Sequence, residues 1–181
     1  MRWLPFFILA YIVLGLQLGV GAFVSWQGAQ PNLVLIAAVY VAVNAPRDAG
    51  LFGAFLLGLG QDLIGAHPPG LYALSYGLAA LLVVGSRQLA YNDHPLSHLA
   101  LALGGGLITA VVLYVHGLIR PPGQPLPTDG GEVLPALRPG LGMLLLGALY
   151  TAALAPLALW LLGKTKPIFG FRSARSRPRY G

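Results

Sequence analysis

No cysteine occurs among the 181 residues, and only five residues are acidic. The first absence excludes disulfides and thiolate metal sites, so the fold must hold by packing alone. The second, set beside eleven basic residues, leaves 9% of the chain charged and 56% hydrophobic, where soluble domains carry roughly 25% charge. With a mean hydropathy of +0.73, this is the composition of an integral membrane protein. Also missing are a phosphate-binding loop, paired carboxylates, a metal-ligand set, and a nucleophile beside a base. Their absence argues against an enzyme, and no cofactor or metal is expected. The net charge of +6 does not describe a nucleic-acid surface, because six of the eleven basic residues follow Gly163.

What is present is a succession of apolar runs. A membrane-crossing helix needs about 20 apolar residues, although shorter helices buried among others can serve. Six runs fit, over about residues 4–24, 32–45, 49–66, 71–85, 96–119 and 139–162. The first has no small-residue cleavage site behind it and reads as a retained span rather than a signal peptide. Trp3 and Trp26 flank it where amphipathic rings favour interfaces. Pro31 is read into the first turn of the second run and Pro46 stops it. The central three runs are short, which demands bilayer thinning, partial insertion or burial between longer neighbours. Residues 120–138 read as a proline- and glycine-rich extramembrane loop, and 164–181 as a basic cytoplasmic tail. Six crossings place both termini on one side with nine of the eleven basic residues. Only Arg120 and Arg138 fall on the other. The positive-inside rule then makes the termini cytoplasmic.

The anomaly is Gln61-Asp62, inside Gly53-Ala54-Phe55-Leu56-Leu57-Gly58-Leu59-Gly60-Gln61-Asp62-Leu63. A carboxylate at the bilayer centre costs about 2.5–3.5 kcal/mol on insertion scales, so Asp62 should face protein, water or a partner. Three readings stand: a structural acceptor for the turn and the start of the next helix, a ligand or partner contact, and a proton relay. The first is favoured because an acceptor ahead of a helix start satisfies orphan N–H groups. The relay lacks a second intramembrane carboxylate. On the structural reading, asparagine at position 62 should be mild and leucine damaging. Gln61, Asp62, Pro69, Gly70, Tyr72 and Ser75 form the candidate site, with His67-Pro68-Pro69-Gly70 as its turn.

Other features weigh less. Asp93, His94 and His98 resemble a metal site by spacing, yet Asp93 ahead of Pro95 is a better helix cap. His116 and Tyr114 read as interfacial or helix-bonded. Ser75 lies one residue short of a G-x-S-x-G elbow, which needs a strand-to-helix turn that a helix interior lacks. Small residues spaced for close helix packing are Gly15 with Gly19, Gly53 with Gly58, Ala73 with Gly77, and the run Gly104 to Gly106. Lys164, Lys166, Arg172, Arg175, Arg177 and Arg179 would bind anionic lipid headgroups at about 1 kcal/mol each, or dock a cytoplasmic protein.

Three stretches, Pro31-Asn32-Leu33-Val34-Leu35, Gly53 through Gly58 to Gln61-Asp62-Leu63, and Pro69-Gly70-Leu71-x-Ala73-Leu74-Ser75-Tyr76, resemble the rod shape-determining protein MreD family of bacteria. The resemblance covers roughly residues 1–165. Asn32 departs from the aspartate of that pattern, and the long loop and basic tail fall outside it. The resemblance implies a non-enzymatic, multi-pass plasma-membrane subunit of the cell-elongation machinery. Such a subunit binds MreC, helps couple MreB filaments to peptidoglycan synthesis, and works in one complex with RodA and a class B penicillin-binding transpeptidase. It also implies an all-α six-helix bundle similar to the substrate-binding subunits of energy-coupling-factor transporters. That similarity supplies the alternative, a small-molecule, vitamin-type binding subunit of a transporter.

Overall fold

The computed structural model describes residues 2–21, 23–24, 29–65, 68–86, 95–119 and 140–169. All regular structure among them is helical, in the order α1 (Trp3–Gly21), α2 (Leu33–Asn44), α3 (Arg47–Ile64), α4 (Leu71–Gly85), α5 (Pro95–Ile119), α6 (Leu141–Gly163) and α7 (Lys166–Phe169). Two helices, α5 and α6, are long and apolar enough to cross a membrane. At 25 residues and about 1.5 Å per residue, α5 exceeds the roughly 30 Å hydrocarbon layer. The expected loop at 120–138 and the tail beyond Phe169 lie outside the described residues. Lys166, placed in that tail by sequence, starts the single-turn α7.

The short helix α2 is the centre. All nine residues from Val34 to Ala42 are buried, and the helix touches α1, α3, α4, α5 and α6. A helix apolar on every side is stable only when surrounded, and 12 residues give α2 just about 18 Å of length. Its shortness is therefore met by enclosure. Ala45 closes its end, donating its N–H to the Val41 carbonyl, and Pro46 leads directly into α3. At its start the structure corrects one expectation. Pro31 stands outside the helix, ahead of the cap residue Asn32, because the Asn32 side chain bonds the Leu35 N–H and leaves Leu33 as the first helical residue.

Close backbone approach holds the rest. Where Gly58 lies, a Cβ would come within 2.6 Å of the Ala73 Cα and still nearer the Tyr72 carbonyl oxygen, so α3 and α4 are in backbone contact there. The α5 glycine run meets Leu82 of α4 at Gly104, Ala79 and Leu35 at Gly105, and Ala148 of α6 at Gly106. Gly15 and Gly19 behave otherwise. Among the described residues nothing lies within 4 Å of either Cβ position, so the small-residue stripe of α1 packs on no described helix. Among the described residues, Gly77 has only Phe55 near it, at 3.9 Å.

Candidate functional site

Two helix starts, those of α2 and α4, meet the last turn of α3 at one end of the bundle, called here the junction. Each start presents backbone N–H groups with no partner inside its own helix. For α4 the cap position is Gly70, which has no side chain to offer and adopts a φ of 97°, a left-handed conformation that glycine takes without strain. Asp62 supplies what Gly70 cannot. Its Oδ2 accepts the N–H of Gly70 at 2.9 Å and of Ala73 at 3.2 Å, and its Oδ1 accepts that of Tyr72 at 2.8 Å. The remaining group of the turn, the Leu71 N–H, donates to the Pro68 carbonyl at 3.2 Å. Asp62 is 2% exposed, and its charge faces the positive end of the α4 dipole.

This geometry changes the expected effect of asparagine at 62. Both carboxylate oxygens accept bonds, and an amide has only one oxygen. Asparagine could keep the Gly70 and Ala73 donors, but its NH₂ would then oppose the Tyr72 N–H. The substitution is intermediate rather than mild.

The second helix start is met by its own cap residue and by side chains from two other helices. Asn32 Oδ1 accepts the Leu35 N–H at 2.9 Å, Gln17 Oε1 of α1 accepts the Leu33 N–H at 2.7 Å, and Thr151 Oγ1 of α6 accepts the Asn32 N–H at 2.9 Å. Gln17 also donates from Nε2 to the Pro31 carbonyl at 3.1 Å. Thr151 in turn donates to the Gly147 carbonyl at 2.7 Å.

Tyr76, fully buried on α4, ties the two starts together. Its hydroxyl stands within bonding distance of both Asn32 Oδ1, at 2.8 Å, and the Gln61 side-chain amide. A phenol has one proton. The structure sets Gln61 Oε1 toward the phenol. Because Asn32 Oδ1 is already set as an acceptor by the Leu35 N–H, the phenol donates to Asn32, and turning the Gln61 amide so that its NH₂ donates to the phenol oxygen satisfies both contacts. Tyr72 packs edge-on against Tyr76, with ring centroids 5.7 Å apart.

The junction thus unites Gln61, Asp62, Gly70 and Tyr72 of the candidates. Exposed Pro69 lies on its turn, and Ser75 stays apart, donating to the Leu71 carbonyl of its own helix at 2.8 Å. Gln17, Asn32, Tyr76 and Thr151 were not among the candidates. The signal for Gln17 and Thr151 is the one that singled out Asp62, a polar side chain alone in an apolar run. For Asn32 it is the preference for asparagine just before a helix.

Elsewhere, Lys164 lies with its ammonium 3.8 Å from the Trp160 ring centroid. Lys166 heads α7, while Arg172, Arg175, Arg177 and Arg179 lie outside the described residues, as do His67, Asp93 and His94. His98 and His116 are half-buried on α5 and Tyr114 is exposed there. Among the described residues, no three His, Asp or Glu side chains converge as a metal set would.

The sequence pattern of one protein family, described as rod shape-determining protein MreD, matches residues 1–122, about two thirds of the chain. That span holds every junction residue except Thr151. No curated protein and no solved structure matches.

Proposed function

This chain belongs to the rod shape-determining protein MreD family, and from that premise we propose that it is a non-enzymatic scaffold subunit of the bacterial cell-elongation complex. A membrane protein with a role in rod-shape determination, it binds MreC and helps couple MreB filaments to peptidoglycan synthesis by RodA and a class B penicillin-binding transpeptidase. The single observation that carries this reading is the family match over residues 1–122. The junction chemistry supports a scaffold over a vitamin-type binding subunit. A ligand site needs polar groups left to face its ligand, whereas Asp62, Asn32 and Gln17 are engaged with backbone groups of the helix starts and the Tyr76 hydroxyl with Asn32. In this reading Gln61 and Asp62 hold the α3–α4 turn so that Leu63, Ile64, Pro69 and Leu74, all exposed, form a partner-binding surface. The basic residues from Lys164 onward bind anionic lipid or a cytoplasmic partner.

The test is direct. Cells depleted of the chain are expected to round up and to regain rod shape with the wild-type chain, and a tagged copy is expected to retain MreC. Rod-shaped growth without the chain, or a tagged copy that retains no MreC, contradicts the proposal.

In the proposed topology six helices cross the plasma membrane, the termini are cytoplasmic and the junction lies at the outer face. It rests on the nine-to-two split of basic residues. A reporter fused after Gly181 should be active only in the cytoplasm, and activity confined to the outside would overturn the orientation.

A further inference from the structure

We infer that α1 is a movable strap, hinged on aromatic rings at one end and latched at the junction by Gln17. The helix lies against α2, α3 and the short α7, and its contact thins along its length. Phe6, Leu9 and Val13 are buried, at 1%, 7% and 8% exposure. Beyond Val13 no described side chain of α1 is buried, and Gly15 and Gly19 face open space. At the hinge end, Trp3 meets Phe6 and Phe52 edge-on, with ring centroids 5.7 Å and 5.9 Å apart. At the other end, among the described residues, the hydrogen bonds from α1 to other elements are the two made by Gln17.

The latch has a chemical logic. One amide meets one donor and one acceptor, the Leu33 N–H and the Pro31 carbonyl, at the start of the central helix. When α1 lifts, the Leu33 N–H and the Pro31 carbonyl lose their partner together, so the shut state is favoured. Lifting α1 bares the α2 start, to which Asn32, Tyr76 and Gln61 are joined. The strap therefore controls access to the junction of the proposed scaffold, and the inference rests on that membrane reading only for its biological use.

The absence of native cysteine makes the test clean. A Cβ at Gly60 would lie 4.0 Å from the Leu14 Cγ, the position a cysteine Sγ takes, so Leu14→Cys with Gly60→Cys places a reporter pair across the strap. In the full chain, reconstituted in lipid, oxidation should link the pair readily, and adding Gln17→Ala should slow linkage several-fold. Gln17→Glu separates a latch from general packing. As carboxylate it accepts from Leu33 but cannot donate to Pro31; protonated, it does both. Linkage in that variant should therefore be fast at low pH and slow at high pH, while the wild-type and Ala backgrounds, compared at the same thiolate fraction, keep a constant ratio. Among the described side chains, the ionisable groups of α2 and α3 do not face this amide. Tyr40, Arg47 and Asp48 stand toward the opposite end of α2 and α3, and Asp62 is bonded to α4.

A wild-type pair that fails to link, or equal linkage in all three backgrounds at every pH, overturns the strap. Should Gln17→Ala not fold, the Gln17→Glu profile decides alone. Loss of MreC retention with normal linkage would count against the proposed function and leave the strap standing.

Discussion

Replacing Asp62 by leucine is expected to destabilise the protein more than any other single change in the α3–α4 turn. Three backbone N–H groups lose their acceptor, and each buried donor left unpaired costs about 1–3 kcal/mol. The sum places Asp62→Leu among the rare substitutions that exceed about 4 kcal/mol. Asparagine should fall between leucine and wild type, since one oxygen can serve two of the three donors. Thermal unfolding of the purified chain in lipid, read for wild type and both variants, checks the order. A leucine variant as stable as wild type would sink the capping role. A proton relay has a different signature: asparagine and leucine would then abolish function equally, with stability untouched in both.

The second large effect is expected at Gly58. Alanine there drives a Cβ to 2.6 Å from the Ala73 Cα, and because the obstacle is backbone, no side-chain rotation relieves it. Overpacking of this kind costs about 1–3 kcal/mol for an added methyl group, and a larger side chain should prevent assembly of the helix pair. The displaced segment, Tyr72 and Ala73, is the one whose N–H groups Asp62 holds. Gly58→Ala and Asp62→Asn should therefore be coupled: the double variant should lose less stability than the sum of the singles, because the first change already pulls the donors from the carboxylate. Gly15→Ala serves as the control. With open space at that position, it should leave the stability of the isolated chain unchanged. Strict additivity of the pair, or a Gly15 effect as large as that of Gly58, would show that backbone contact at Gly58 does not set the α3–α4 distance.

Membrane character and the all-helical class were legible in the chain because they are sums over local composition. Runs of apolar residues leave little choice but helix where the backbone has no water to bond. Asp62 was legible for a related reason: an isolated carboxylate in such a run needs a partner, and the nearest orphan donors lie just past the Pro-Gly turn, eight to eleven residues on. Neither inference needed to know which helix packs on which.

What the tertiary structure alone decided involves distance along the chain. Tyr76 meets Asn32 across 44 positions and Thr151 meets Asn32 across 119, separations over which no local pattern constrains pairing. The same limit explains the glycines. Gly15-x-x-x-Gly19 and Gly53-x-x-x-x-Gly58 both advertise close approach, yet only the second meets its neighbours, because a small residue permits contact without specifying the face that receives it. Likewise, the shortness of residues 33–44 admitted thinning, partial insertion or burial. Enclosure by five other helices settled on burial, since only there does a helix apolar on every side remove its whole surface from solvent and place its exposed first turn against the side chains of Gln17, Asn32 and Thr151.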